Sequence, residues 1–138
     1  MEASWRSASV SQGSLYGDGV MIYNDPGNGN SDGISVSGQG SLVLHGPTTG
    51  MYKGLTFFQN RTADVNGNVQ GSGGGGTTDI TGTFYFAGSL LTVGGNGGVA
   101  NIGSQYISRL LDIGGNGEIV INWKPEKVVP ARNIYLVE

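Results

Sequence analysis

One short glycine-rich pattern recurs along the chain. The segments 93–101 (VGGNGGVAN) and 113–121 (IGGNGEIVI) share the order apolar, small, Gly, amide, Gly, any residue, apolar, and 36–44 (VSGQGSLVL) shares it as well. A partial copy begins at Val69. Successive copies therefore start 33, 24 and 20 residues apart, and the shorter spacings are typical of single coils of a solenoid.

Each copy predicts two short strands that meet at a sharp corner. Gly adopts the positive φ angles that such corners need, and Asn or Gln tolerates them or hydrogen-bonds locally. Because no coil can bury its apolar face alone, stacking should align equivalent residues of successive copies. The aligned sets are Val36, Val93 and Ile113 in one interior file, Leu42, Val99 and Ile119 in a second, and Gln39, Asn96 and Asn116 in an amide ladder.

These features predict an all-β fold, namely a single-stranded right-handed parallel β-helix (β-solenoid) with short Gly-Asn corners. The hand follows from parallel crossovers, which are right-handed in nearly all proteins. A length of 138 residues suits one domain, 1–138. Within it we assign 1–18 to an N-terminal cap or linker, 19–123 to the rungs, and 124–138 to a C-terminal linker with a capping strand at 134–137.

Composition and charge narrow the classes of function. Gly accounts for 27 residues, which fits a fold with many tight turns. The seven Lys and Arg residues are scattered along a chain of net charge −3, so nucleic acid is not an expected partner. The chain has no cysteine, which excludes disulfides and thiolate metal sites. No window holds the roughly 18 apolar residues of a membrane span, so membrane insertion by this segment is not expected.

One segment matches a catalytic motif in its letters only. The residues 29–33 (GNSDG) read G-x-S-x-G, the nucleophile elbow of α/β-hydrolases, which requires a strand before the serine and a helix after it. The following residues, 34–36, are strand-like, and His45 is the one histidine in the sequence. We interpret this segment as a turn. For the chain as a whole we predict no catalytic residues, no cofactor and no enzyme activity.

The same stretch resembles the start of a calcium-binding loop. Asn28 stands where the first Asp belongs and Gln39 where the bidentate Glu belongs, so most of the ligand charge is missing. The Gly-Gly-Asn-Gly corners carry Val99 and Ile119 where calcium-binding nonapeptide repeats carry Asp. We assign no metal ligand, and a weak calcium site between Asn28 and Asp32, with Asp25 as an extra ligand, stays open as an alternative.

An insertion at 46–54 is the most polar, protruding and varied segment. It interrupts the repeat after the first copy and contains Gly46-Pro47-Thr48-Thr49-Gly50, which is typical of a loop. We predict that this region forms any partner-recognition surface, although a tolerated surface insertion explains the same residues. The candidate recognition residues are His45, Thr48, Thr49, Tyr52, Lys53, Asn60 and Arg61.

Glycan recognition or cleavage is the alternative function. Many parallel β-helices cleave polysaccharides and need two or more convergent carboxylates to do so. The candidate carboxylates are Asp79, Asp112 and Glu118, and the candidate stacking platforms are Tyr16, Tyr52 and Trp123.

The stretch 34–61 (ISVSGQGSLVLHGPTTGMYKGLTFFQNR), with ITGTFYF, LLTVGGNG and SQYISRLLDIGGNGEIVI, resembles a known family. This is the Gly-rich β-solenoid C-terminal region of planctomycete-type proteins labelled as tight-adherence pilus-assembly (TadE/TadG-like) proteins. The resemblance covers about 19–123. It implies a secreted or surface-exposed location behind an N-terminal membrane anchor and supplies no catalytic residues. The chain is expected to be an excised C-terminal domain without that anchor.

The leading prediction is a non-catalytic structural or adhesive module of a bacterial extracellular or cell-surface protein. Its candidate partners are a cell-surface protein or a glycan. End-to-end self-association is also expected, because a poorly capped solenoid exposes strand edges. The run 71–76 (GSGGGG) has no side chain large enough to pack and is typical of a mobile loop.

Overall fold

The computed structural model describes residues 2–5, 8–25 and 33–130, with side chains described from residue 11 onward. These residues form one strongly curled, parallel, 11-stranded sheet. The strands are β1 Glu2–Trp5, β2 Ala8–Val10, β3 Leu15–Asp18, β4 Met21–Asn24, β5 Ile34–Val36, β6 Leu42–His45, β7 Leu55–Gln59, β8 Gly67–Gln70, β9 Thr78–Thr81, β10 Thr83–Ile102 and β11 Gln105–Val120. A 3-10 turn follows at Pro125–Lys127.

Successive strands stack in three parallel ladders. The first ladder contains β1, β4, β7 and the segments 83–86 and 105–108. The second ladder contains β2, β5, β8 and the segments 91–94 and 111–114. The third contains β3, β6, β9 and residues near 100–102 and 119–120. The predicted all-β class is confirmed, and the curled parallel sheet is compatible with a β-solenoid.

All three ladders contribute side chains to one hydrophobic core. Residues alternate between the core and the outer surface, as the period of a strand requires, so that Ile34 and Val36 are buried while Ser35 between them is half-buried. The core cluster draws on all three ladders and consists of Ile34, Val36, Leu42, Leu44, Phe57, Val69, Ile80, Phe84, Phe86, Leu91, Val93, Ala100 and Ile102.

The first predicted interior file is present and continuous. Val36 pairs with Val69, Val69 with Val93, and Val93 with Ile113. Backbone pairing adds Val10 at the other end of the same file. The three central valines are buried, whereas Ile113 on the last strand is 48% exposed. The partial copy at Val69 therefore occupies the same structural position as the full copies.

The second predicted file is wrong at Val99. Leu42 aligns with Thr78, Thr78 with Ala100, and Ala100 with Ile119, whereas Val99 is 63% exposed. The cause is a register shift after Asn96. In β10 two glycines, Gly97 and Gly98, follow Asn96, whereas in β11 one glycine, Gly117, follows Asn116. The extra residue moves Val99 to the outer surface.

The predicted amide ladder is interrupted. Asn96 and Asn116 pair in register, and both are exposed. A Cβ added to Gly73 would lie 2.7 Å from Asn96 Nδ2 and 3.3 Å from Gln39 Nε2. Gly73, which has no side-chain amide, therefore interrupts the ladder between Gln39 and Asn96.

The glycine run 71–76 is a hydrogen-bonded corner. The Gly71 amide donates to the Gly94 carbonyl at 2.8 Å, and the Gly73 amide donates to the Gly38 carbonyl at 2.9 Å. A Cβ on Gly74 would lie 2.2 Å from the Gln39 carbonyl oxygen. Here glycine lets two backbones approach closely, which is a different use from the loop that its composition predicts.

A cluster of buried polar side chains lies where β4 and β7 of the first ladder end. Gln59 Nε2 donates to the Val65 carbonyl at 2.6 Å and to Ser89 Oγ at 2.7 Å, while Asn24 Nδ2 donates to Gln59 Oε1 at 3.3 Å. Asn24, Gln59 and Ser89 are all inaccessible to solvent. These bonds offset the cost of burying three polar side chains.

The two ends of the described chain differ from a simple cap. The region 1–18, predicted as a cap or linker, contributes β1, β2 and β3 to the three ladders. After β11 the chain turns back, because Val128 is buried against Gly54 and the Val129 amide donates to Thr83 Oγ1 at 3.0 Å. The predicted capping strand at 134–137 lies outside the described residues. Within the described residues, no helix is long and apolar enough to cross a membrane.

Candidate functional site

The loop 46–54 joins β6 to β7 and is closed at its base. The Gly54 amide donates to the Pro47 carbonyl at 2.8 Å, and the Lys53 amide donates to the Gly50 carbonyl at 3.3 Å. Gly50 and Gly54 adopt φ angles of +85° and +82°, which favour glycine. A Cβ on Gly54 would meet the Val128 backbone at 2.4 Å, so the C-terminal segment packs against the base of the loop.

His45 lies beside this loop between two carboxylates. Backbone pairing sets Asp18 beside His45 and Asp79 beside Val43, with the Asp79 and His45 side chains both on the outer surface. His45 Nε2 is 3.0 Å from Asp79 Oδ2, and His45 Nδ1 is 3.4 Å from Asp18 Oδ1. One imidazole therefore bridges three consecutive strands of the third ladder.

A cleft of about 370 Å³ opens next to this imidazole. It contains the cationic side chains Lys53 and Lys127 and the carboxylates of Asp18 and Glu126, so its charge is mixed. The remaining lining residues are His45, Gly46, Pro47, Thr48 and Thr81. These charged side chains offer ion pairs and hydrogen bonds to a ligand that carries polar groups.

The geometry of His45 limits the chemistry of the cleft. A histidine that acts as a general base for a nucleophile needs one ring nitrogen held by a carboxylate and the other facing the hydroxyl group. Both His45 nitrogens face carboxylates here, and the ring fills the space between Asp18 and Asp79. Among the residues that the structure describes, no group of three or more His, Asp or Glu side chains is arranged to hold a metal ion.

A second cleft of about 330 Å³ lies on the other side of the loop. Met51 and Tyr52 at its rim are 86% and 41% exposed. The other lining residues are Gly19, Met21, Pro47, Thr49 and Gly50. The loop 46–54 therefore separates the charged cleft from a second cleft whose lining residues are all uncharged.

An outer column of aromatic rings runs along the first ladder. The Phe58 and Tyr85 rings stack with centroids 4.9 Å apart and planes 4° apart, and the Tyr23 ring lies 5.4 Å from Phe58. Two rings stacked in this way cover each other's faces. A sugar needs an open ring face to stack upon, so this column is better suited to holding strands together than to binding glycans.

The structure divides the predicted recognition residues into two groups. His45, Thr48 and Lys53 line the charged cleft, and Thr49 and Tyr52 line the second cleft. Asn60 and Arg61 lie beyond the opposite end of β7, where Asn60 Nδ2 donates to Asp25 Oδ1 at 2.9 Å.

The alternative calcium site falls partly outside the described chain. Residues 28–32 are not described, so that prediction stays a prediction. Asp25, its proposed extra ligand, already accepts a hydrogen bond from Asn60.

The residues predicted for glycan chemistry are dispersed. Asp79 is on β9 in the third ladder, Asp112 is on β11 in the second, and Glu118 pairs with the exposed Val99. Tyr16 and Trp123, which are 68% and 59% exposed, lie on β3 and after β11, at opposite ends of the stack. These side chains therefore do not converge on one site.

Three cleft residues, Asp18, Glu126 and Lys127, were not predicted from the sequence. A signal for Asp18 exists, because 10–15 (VSQGSL) is a copy of 36–42 (VSGQGSL) shortened by one residue. Asp18 follows Leu15 by three positions, and His45 follows the equivalent Leu42 by three positions, which matches the backbone pairing of Asp18 with His45. Glu126 and Lys127 follow the repeat and carry no comparable signal.

Comparison of the chain with protein-family models, with curated proteins and with solved structures finds no match.

Proposed function

We propose that this chain is a non-catalytic structural or adhesive module of a bacterial extracellular or cell-surface protein. In the finer architecture that goes with this proposal, the three ladders are the faces of a right-handed, single-stranded parallel β-helix. The β-helix acts as a rigid stem, and the loop 46–54 is the surface that it presents to a cell-surface protein or a glycan.

The observation that carries the proposal is the continuous buried file of the second ladder, in a stack that also carries the exposed loop 46–54. Val36, Val69 and Val93 are at most 1% exposed in three successive strands of the second ladder. Protein interiors of this kind are close-packed and resist deformation. A loop held at its base by such a stem keeps its position, which favours presentation of a recognition surface.

The absence of catalysis is supported by the state of the polar groups in the charged cleft. Both nitrogens of His45 face carboxylates, Asp79 at 3.0 Å and Asp18 at 3.4 Å, whereas a general base for a nucleophile needs one nitrogen directed at the hydroxyl group. A glycosidase needs two carboxylates on opposite sides of a sugar. The His45 ring occupies the space between this pair.

Glycan binding without cleavage is the second candidate. It is favoured by Tyr52 and Thr49, which line the second cleft, and by Lys53, which lines the charged cleft. A polar ligand that spans the loop would reach both clefts.

Binding and product analysis on the same preparation test the proposal. We expect the protein to bind at least one component of a bacterial cell envelope or glycan array and to release no sugar or acyl product from it. Lys53→Glu should weaken that binding, because it inverts the charge at the charged cleft. Release of any product by the intact protein would contradict the non-catalytic assignment.

Arg61→Glu is the matched control for Lys53→Glu. Both residues are exposed and basic, but Arg61 lies beyond the far end of β7. Equal loss of binding in the two variants would show that net charge, rather than the loop 46–54, recognises the ligand.

A further inference from the structure

The last strand of the stack, β11, has an open outer edge. Among the strands that the structure describes, β11 pairs with β10 alone. It is 16 residues long and runs through all three ladders. An edge of this length presents a row of unpaired backbone groups, which is a template for another strand.

Core positions on β11 are uncovered in the described chain. Leu91 and Val93 on β10 are 0% exposed, whereas their partners Leu111 and Ile113 are 46% and 48% exposed. Two core positions that are covered at β10 are therefore open to solvent at β11. Exposed apolar residues along an edge mark an association surface.

The chain that follows β11 leads away from this edge. The Asn122 amide still bonds to the Gly103 carbonyl at 3.2 Å. Val128 then packs against Gly54, and Val129 binds Thr83, both of which belong to earlier turns of the chain. Up to residue 130 the chain therefore does not add a strand to β11.

The opposite end of the same stack has a complementary edge. Among the described strands, β1, β2 and β3 each pair with one later strand, β4, β5 and β6. Their other edges point out of the stack. Because every pairing in the stack is parallel, the free edge of β11 has the polarity of the edge that β10 offers to β11.

We propose that β11 of one copy pairs with the N-terminal strands β1, β2 and β3 of a second copy. The backbone register then continues across the junction, with Ile113 of one molecule preceding Val10 of the next as Val93 precedes Ile113 within one molecule. Strand spacing at the junction is that of the interior ladders, about 4.8 Å. This inference concerns the ends of the stack and stands or falls independently of the proposed role of the loop 46–54.

The contact is heterologous, so it does not close on itself. Each added copy leaves one free β11 edge and one free N-terminal edge, and head-to-tail contacts of this kind build open linear assemblies. The average mass should therefore increase continuously with concentration, without stopping at a dimer.

Sedimentation velocity at protein concentrations from about 1 μM to about 1 mM tests the contact, because it detects association with a dissociation constant in this range. Ile113→Lys places a charge on the open file and should raise the dissociation constant at least about tenfold, or 1.4 kcal/mol. Leu110→Lys is the matched control, because Leu110 is 57% exposed on the same strand but pairs with the half-buried Leu90 outside the core cluster. This control should associate like the unmodified protein.

Mixing two blocked variants identifies which edges meet. Val10→Lys blocks the N-terminal edge and Ile113→Lys the other, so each variant alone should be monomeric and an equal mixture should form 1:1 dimers and nothing larger. Circular dichroism tests whether both variants fold. If Val10→Lys does not fold, Ala8→Lys on the same strand replaces it. A protein that is monomeric at all concentrations would overturn the proposal, as would dimers of Val10→Lys alone, which require β11 to pair with itself.

Discussion

At the residue scale, two glycines with ordinary φ angles show how differently the same residue type is used. Gly74 lies against the backbone of Gln39, whereas a Cβ on Gly114 would have nothing within 4 Å. The sequence places Gly114 at a corner of the repeat and Gly74 in a glycine run that is typical of a mobile loop. Only the structure distinguishes the close backbone approach at Gly74 from open space at Gly114.

We expect Gly74→Ala to lower the free energy of unfolding by about 1–3 kcal/mol, the usual range for overpacking. The added methyl group would lie 2.2 Å from the Gln39 carbonyl oxygen, so the two corners must separate. Urea denaturation measures the change. Gly114→Ala is the control and should be neutral or slightly stabilising, because it reduces only the entropy of the unfolded chain. Equal effects of the two substitutions would contradict the packing of the 71–76 corner.

Tyr106 gives a pH dependence at the alkaline end. Burial raises the pKa of its phenol, whose hydroxyl donates a hydrogen bond to the Ile102 carbonyl. In the unfolded chain a tyrosine loses its proton near pH 10. The folded state is therefore favoured by this group below about pH 10, and that contribution is lost as the pH rises further and the unfolded chain ionises.

The expected result is a steeper loss of stability above about pH 10 for the unmodified protein than for Tyr106→Phe. Urea denaturation at a series of pH values from neutral to alkaline measures both slopes. Parallel slopes would mean that Tyr106 ionises as readily in the folded protein as in the unfolded chain.

At the scale of the strand, position along an interior file decides the cost of a charge. Val93 lies in the middle of its file and is 0% exposed, whereas Ile113 lies at the end and is 48% exposed. A buried carboxylate without a partner is expensive, but a carboxylate at an open end stays hydrated.

Val93→Asp should therefore destabilise the fold by several kcal/mol or prevent folding, while Ile113→Asp should lower stability by much less. Thermal melting followed by circular dichroism compares the two variants. A melting transition for Val93→Asp as high as that of Ile113→Asp would contradict the file. A third variant, Thr92→Asp, changes a half-buried outer position of the same strand and controls for loss of β propensity.

The strand scale also shows why one file could be predicted and the other could not. Val36, Val93 and Ile113 precede their corners, so their alignment does not depend on corner length. Leu42, Val99 and Ile119 follow their corners, and the additional glycine after Asn96 moves Val99 out of register. A pattern of residue types does not show which of two glycines is the extra one.

At the scale of the whole molecule, the recurring corners made the parallel stack predictable, but its extent was not. The need of a solenoid for a cap predicts a cap or linker at 1–18, whereas the structure has strands there, and the shortened copy at 10–15 is a weak signal for them. The charged cleft depends on Asp18, His45 and Lys127, which are distant in sequence. The buried cluster of Asn24, Gln59 and Ser89 has no sequence signal either, since its residues are polar and occur outside the repeat.

Stability is expected to be uneven along the stack, as it is in proteins whose repeats contact only their neighbours. Amide hydrogen exchange should be slowest in β8 and in 91–94 of β10, which pair on both sides. It should be fastest in β11, whose outer edge is unpaired within the described chain. At concentrations where copies associate, β11 should gain protection; uniform exchange over all strands would contradict a stack that loosens from its ends.

The loop 46–54 shows that a corner of this chain can lengthen without disturbing the strands on either side. His45 and Leu55 flank the nine inserted residues and still pair with Thr81 and Thr83 in the neighbouring strands. Foreign peptides grafted at Gly50 should then be held at a fixed position along the stacking direction of the strands. Grafts placed at successive corners would be separated by whole multiples of the strand spacing, which makes the chain a molecular ruler for displaying epitopes.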